Sequence, residues 1–382
     1  MSEIKPLTLT ADASAVADLN DRLRKTRWPE QETVEDWSQG VPLAYTQQLA
    51  DYWRTEYDWQ DRLAKLAAFE HFTTEIDGLD IHFMHKQSAV PGARPLILTH
   101  GWPGSIFEFL EVIDLLTDPV THGGRAEDAF HVVCPSLPGF GFSGKPSETG
   151  WGVMKIAAAW NTLMERLGYE RYFAQGGDWG SVVTAAMGYQ NLGRCAGLHL
   201  NMLVAMPPPE FFANPSPEDQ QALVAAQYHQ DQGMAYANQQ RTRPQTMAYG
   251  LVDSPVAQLS WIVEKFWAWT DNDGHPESAI GRDEMLDTVT LYWMTGSGSS
   301  SAKLYWESFG NSFEGADLSI KIPVGYSKFP KEIVPAPKSW AEPFFENLVY
   351  YGEPDKGGHF AALEQPKLFA QEVRACFSQM SL

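Results

Sequence analysis

Residues 172–189 read YFAQGGDWGSVVTAAMGY, and the fold turns on how that stretch is parsed. Tyr172 to Gln175 is a short apolar run that suits a buried strand, and Ser181 to Tyr189 is a helix of mostly small residues. Between them, Gly176-Gly177-Asp178-Trp179-Gly180 has the form Gly-x-nucleophile-x-Gly. That is the sharp strand-to-helix elbow which holds a reactive side chain clear of a sheet, with glycines at its ends so that strand and helix can approach closely. Aspartate stands at the apex, where such elbows commonly carry serine. A Gly-Asp turn capping a helix would also satisfy the pentapeptide taken alone, so its surroundings have to decide.

Outward from the elbow, strands and helices alternate. Leu96 to Thr99 and His131 to Cys134 are apolar runs ending in Gly/Pro-rich turns, Val153 to Leu167 is spaced as a helix, and Ala196 to Val204 reads as a further strand. This alternation predicts an α/β fold with a mostly parallel sheet flanked by helices. Upstream, Asp77-Gly78 between two alternating runs over Thr73 to Gln87 predicts a hairpin. Before it, Ala13 to Lys25 and Thr46 to Phe69 carry apolar residues at helical spacing, with Trp28 and Trp37 in the loop between.

Downstream the alternation breaks at Met206-Pro207-Pro208-Pro209, and helices alone follow to about Gly310. Ser216-Pro217 and Ser254-Pro255 each start one, a hydroxyl N-cap preceding proline at the first helical position. Asp283 to Met294 and Ser299 to Phe309 continue the block. Strands resume at Ile322 to Tyr326 and Leu348 to Gly352, and a helix over Pro366 to Phe377 closes the chain. The expected organisation is a helical amino-terminal segment (1–70), the first part of the α/β core (71–205), a helical lid (206–310) and the second part of the core (311–382).

Two further motifs give the elbow its context. His100-Gly101-Trp102-Pro103-Gly104-Ser105 follows the strand Leu96 to Thr99, where this architecture places one backbone N–H of an oxyanion hole; the residue after the nucleophile supplies the other. The amides of Trp102 and Trp179 are the candidates. Gly357-Gly358-His359-Phe360 follows the last strand, which completes the chain order nucleophile, acid, histidine and nominates His359 as general base. The acid should follow Ile322 to Tyr326; Glu332 is the first carboxylate there, while Glu353 and Asp355 lie nearer to His359 in sequence. His82 and His85, three apart on a strand, face opposite sides and make a poor metal pair. The other histidines have no partnered spacing.

A carboxylate nucleophile is already ionised at neutral pH and needs no base for its first attack. Its natural target is an sp³ carbon bearing a leaving group, giving an alkyl ester that histidine-activated water then hydrolyses. Epoxide hydrolases and haloalkane dehalogenases both satisfy that class. An epoxide oxygen leaves as a tethered alkoxide and calls for a phenol donor over the pocket, whereas a halide calls for indole or amide N–H groups. A hydrolase-fold binding protein without turnover is a third reading.

Composition narrows the partners. The 382 residues carry 28 Lys+Arg against 48 Asp+Glu, a formal charge of −20, which repels nucleic acid and anionic lipid. A hydrophobic fraction of 44% excludes global disorder. The 14 Trp, 14 Tyr and 20 Phe suit a core and an apolar pocket. Cys134, Cys195 and Cys376 have neither disulfide nor zinc spacing and read as buried thiols of a reduced compartment. No signal-peptide h-region or membrane-spanning run is visible, so a cytoplasmic location is expected.

Taken jointly, the motifs resemble those of the microsomal-type epoxide hydrolases of the α/β-hydrolase fold, over nearly the whole chain. They are Arg27-Trp28-Pro29, the His100 to Ser105 loop, Ser136-Leu137-Pro138-Gly139-Phe140-Gly141-Phe142-Ser143 and Gly177-Asp178-Trp179-Gly180. Asp253-Ser254-Pro255, Tyr292-Trp293-Met294-Thr295-Gly296, Phe329-Pro330-Lys331-Glu332 and Gly357-Gly358-His359-Phe360-Ala361-Ala362 complete the set. The resemblance implies Asp178 as nucleophile, His359 as base and Glu332 as the acid orienting it. It also implies two lid tyrosines on the epoxide oxygen, matched by Tyr305 in Leu304-Tyr305-Trp306-Glu307 and Tyr236 in Ala235-Tyr236-Ala237-Asn238. The reaction implied takes an apolar or aryl epoxide and water to a vicinal diol without metal or organic cofactor, and a homodimer is admissible. No counterpart of the amino-terminal apolar anchor of the membrane-bound members is expected here, and the amino-terminal segment reads as structural wrapping.

Overall fold

The computed structural model describes residues 3–203, 214–309 and 319–382. Among them one nine-stranded sheet runs in the order β1-β2-β3-β5-β4-β6-β7-β8-β9. Its strands are β1 (Lys5–Pro6), β2 (His71–Ile76), β3 (Leu79–Lys86), β4 (Arg94–Thr99), β5 (Phe130–Pro135), β6 (Tyr172–Gly176), β7 (Cys195–Leu200), β8 (Val324–Ser327) and β9 (Leu348–Gly352). From β5 to β9 every pairing is parallel, and β1, β2 and β3 add an antiparallel edge. The mostly parallel sheet expected from the alternation is therefore present. Parallel strands are covered on both faces, and β4 shows how: Ile97 packs into one apolar cluster while Leu96 and Leu98 pack into another.

The hairpin falls where Asp77-Gly78 predicts it. Both residues take positive φ (50° and 79°), as a two-residue turn between twisted strands requires, and Ile76 pairs with Leu79. In the amino-terminal segment α1 (Ala13–Arg24) matches expectation, but the single helical stretch Thr46 to Phe69 is two helices, α2 (Leu43–Thr55) and α3 (Trp59–Leu66). The cause is Asp58, whose side chain accepts from the amides of Gln60 and Asp61 and caps a new start. Apolar periodicity runs on through such a break unchanged.

The core continues with α4 (Leu110–Thr117), α5 (Val153–Arg166) and α6 (Trp179–Gln190). Between β7 and β8 lie α7 (Pro217–Tyr228), α8 (Ala235–Thr242), α9 (Pro244–Asp253), α10 (Pro255–Trp269), α11 (Arg282–Thr295), α12 (Ser297–Ser300) and α13 (Lys303–Ser308). Ser216 and Ser254 cap α7 and α10 as anticipated. The expected helix Ser299 to Phe309 is instead two short helices, α12 and α13, broken at Ser301 and Ala302, and Gly296 at φ 62° separates them from α11. The strand expected over Ala196 to Val204 is β7, which stops at Leu200. Val204, the Met206 to Pro209 break and Gly310 lie outside the described residues, so both edges assigned to the lid do too. After β8 come α14 (Lys338–Phe344), α15 (Ala361–Glu364) and α16 (Pro366–Ser378).

The amino-terminal segment is fastened to α11. Arg62 reaches Asp287 and Glu284, Trp53 Nε1 donates to Thr290 Oγ1 at 2.8 Å, and the hydroxyls of Tyr57 and Tyr52 donate to Asp287 and Asp283. The three cysteines are buried and free. Among the described residues no helix is long and apolar enough to cross a membrane.

Candidate active site

The elbow is built by steric necessity. β6 ends at Gly176, Asp178 stands at φ 50°, and Trp179 opens α6. A Cβ on Gly176 would lie 2.1 Å from the Gly180 carbonyl oxygen, and one on Gly180 only 1.9 Å from that of Thr99. Glycine at both places lets strand and helix meet, and the turn thrusts Asp178 forward in a backbone conformation that non-glycine residues seldom adopt.

Two loops close on that carboxylate. From the end of β4, the Trp102 amide donates to Asp178 Oδ1 at 2.7 Å. From beyond β9, His359 Nε2 lies 3.2 Å from Asp178 Oδ2, and His359 Nδ1 lies 2.6 Å from Glu332 Oε1. The side chains of His359 and Glu332 are 1% and 0% exposed, against 15% for Asp178. Both ring nitrogens of His359 are thus taken, which leaves no place on it for Asp355, and Glu353 pairs instead with Lys328 at 2.8 Å. A bridge between Lys331 and Gly358 brings the Glu332 loop alongside the histidine. The Trp179 amide begins α6, where the first N–H groups have no carbonyl within the helix.

Tyr236 on α8 and Tyr305 on α13 come together over this group, their hydroxyls 3.5 Å apart and both side chains buried. Trp102 stacks on Tyr236 (5.0 Å, 11°) and meets Tyr305 edge-on, and Trp179 meets Tyr305 edge-on at 4.9 Å. All seven residues nominated from sequence therefore share one site.

Charge sets the protonation states. Burial pushes the His359 imidazole down, but Glu332 and Asp178 beside it more than offset that, and it holds its proton well above its ordinary value. Burial first, and the Asp178 charge among the further causes, push the Tyr236 and Tyr305 phenols up. At neutral pH both are hydroxyl donors.

Sequence reasoning missed several neighbours. Glu108 lines a small cavity beside Asp178 and His359, and burial pushes its carboxyl up to about 8 although the Ser105 amide donates to it. The cavity, about 20 Å³, has room for one water molecule. Ser105 and Glu108 form a capping box, and the Ser-x-x-Glu spacing was a readable signal for it. Glu364 accepts from the amides of Gly358, Phe360 and Asp271, and the His359 amide donates to the Trp269 carbonyl at 2.8 Å. Lys265, next to Tyr236, is a buried cation inside the apolar run WIVEKFWAW, itself a visible anomaly. Among the described residues no group of His, Cys, Asp and Glu side chains could hold a metal ion.

Comparison with known proteins matches residues 4–109 to the family model "Epoxide hydrolase N terminus" and residues 94–253 to "alpha/beta hydrolase fold". The Stigmatella aurantiaca protein named "Putative epoxide hydrolase" is 54% identical over 99% of this chain and 85% of its own length. Epoxide hydrolase 1 of Sus scrofa is 34% identical over 97% of this chain and 88% of its own. The solved structure of Aspergillus niger epoxide hydrolase superposes with a TM-score of 0.90 at 33% identity, covering 99% of this chain and 97% of that one.

Proposed function

Since the chain belongs to the epoxide hydrolase family of the α/β-hydrolase fold, we propose that it opens an apolar or aryl epoxide through a covalent ester on Asp178 and releases a vicinal diol. The observation that supports this most is the pair of tyrosine hydroxyls, 3.5 Å apart, over a carboxylate whose two oxygens already have different partners.

Those partners support different roles for the two oxygens. Oδ1 lies on the Trp102 amide, so it is the oxygen that becomes the ester carbonyl and later carries the negative charge. Oδ2 is the attacking atom. It forms the C–O bond at an epoxide carbon while the ring C–O bond breaks toward Tyr236 and Tyr305, which hydrogen-bond the emerging alkoxide and deliver it a proton. Esterification removes the charge on Asp178, one of the two that hold the proton on His359. The imidazolium can then pass its proton to the tyrosinate left by protonation of the alkoxide, which makes it neutral for the step that needs it as a base, and Glu332 keeps it oriented. Water deprotonated by His359 attacks the ester carbon, the Trp102 and Trp179 amides stabilise the oxyanion, and collapse expels the diol with the proton His359 returns; the carboxylic acid left on Asp178 then gives its proton to His359, restoring the resting pair. Residues 206–310 act as the lid that brings the phenols over the nucleophile, and the aromatic walls around them select apolar or aryl substrates.

Product mass spectrometry on a panel of aryl and alkyl epoxides should find diols with the wild-type chain and none with Asp178→Ala. With a substrate so identified, His359→Gln should gain the mass of one epoxide after a single turnover. An unshifted intact mass would rule out the ester.

A further inference from the structure

Lys265 lies on α10 and is 3% exposed, yet the chemistry derived above does not use its ammonium. Lysine is almost never fully buried unless paired, and its partner is the adjacent Glu264 at 2.6 Å. Its Nζ sits 4.3 Å from the centre of the Tyr236 ring and 5.5 Å from that of Trp269. Tyr236 is therefore held between the stacked indole of Trp102 and a desolvated cation. Around Tyr305 the rings of Trp102, Trp179, Tyr236 and Phe309 pack, and among the described residues no cation lies over it. The two phenols are thus electrostatically unequal.

A cation over an aromatic face is attracted to the ring's electron density, most strongly where water is excluded. On a phenol the same field draws charge out of the ring and strengthens the O–H as a donor. The gain is largest when the accepting oxygen turns anionic, as an epoxide oxygen does on opening. Burial first, then the Asp178 and Glu264 charges, push the Tyr236 phenol up; burial also pushes Lys265 down, while Glu264 keeps the ammonium charged. We infer that Lys265 is a positioning residue for the alkylation half-reaction, acting through Tyr236 to make it the stronger of the two donors to the opening epoxide oxygen. The inference rests on the reading of Tyr236 as a donor.

The test is a double-mutant cycle on the full-length enzyme with styrene oxide, measuring ester formation and ester hydrolysis separately by rapid quench and intact mass. Lys265→Met, which keeps the alkyl stem, should slow ester formation about threefold to thirtyfold and leave hydrolysis unchanged. Lys265→Arg should restore most of the loss, and in a Tyr236→Phe background Lys265→Met should add nothing. Lys265→Gln, read in the same way, serves should the methionine variant not fold. An equal slowing with and without the Tyr236 hydroxyl, or an equal loss in both steps, would mean that Lys265 only packs, and would overturn the inference while leaving the donor reading intact. Unchanged ester formation in Tyr236→Phe alone would overturn both.

Discussion

At the scale of single residues, glycines decide whether the elbow can exist. Gly180 has the Thr99 carbonyl oxygen 1.9 Å from where a Cβ would sit, and that oxygen belongs to a sheet strand that cannot yield. Gly250 on α9 has nothing within 4 Å. Gly180→Ala should therefore abolish activity and cost about 4 kcal/mol or more, whereas Gly250→Ala should be neutral or stabilise by up to about 1 kcal/mol. Urea unfolding of the two variants separates them, and equal costs would remove the close approach as the explanation. Asp178, Trp102 and His359 were legible because each sits in a backbone motif with its own glycines. The choice among Glu332, Glu353 and Asp355 was not, since it depends on the bridge from Lys331 to Gly358, a contact between loops that no local pattern encodes. Glu108 and Lys265 escaped for a different reason. A charged residue in a helical pattern reads by default as solvent-facing, and the capping-box spacing before Glu108 and the apolar run around Lys265 mark them as unusual without placing them beside the site.

At the scale of elements, the amino-terminal segment and α11 form one mechanical unit. The Arg62 side chain is 12% exposed and Asp287 3%, and Tyr57 donates to the same carboxylate. Removing one partner of such a pair leaves an uncompensated buried charge, which costs more than the pair contributes net. Arg62→Ala should lower stability by about 3–5 kcal/mol, and hydrogen exchange should show α3 and α11 losing protection together. Loss confined to α3 would mean that the two helices are not coupled. Sequence reasoning located these helices but not their partnership. The contacts span more than 200 positions, and Arg62 alone looks like any charge on an amphipathic face.

At the scale of the whole molecule, buried histidines tie stability to pH. Burial, with the His131 charge adding to it, lowers His85 to about 4; burial lowers His100 to about 4 and His199 to about 3, and His82 also lies well below its ordinary value. An unfolded chain protonates these groups near 6.5. Between that pH and about 4 the unfolded state binds more protons, so acidification favours unfolding. Glu108, Glu364 and Asp287 oppose the trend in this window, each holding its proton more tightly when folded, so the net slope is smaller than the histidines alone would give; His359 adds its own opposing contribution chiefly above pH 6.5. His85→Gln isolates one contribution, because glutamine can still meet the Tyr169 hydroxyl that lies 2.9 Å from His85 Nε2. In urea titrations from pH 6.5 down to 4 the variant should lose stability less steeply than the wild type, by up to about 1.4 kcal/mol per pH unit. Superimposable slopes would show that His85 titrates alike in both states. The seam between α10 and the histidine loop has its own consequence. The Trp269 carbonyl holds the His359 amide, and Glu364 holds the backbone on both sides of the seam. Lifting the helical block off the sheet would strip those supports from His359. Any passage of ligand that keeps the imidazole in place must therefore leave this seam shut, a hinge whose bolt is the base itself.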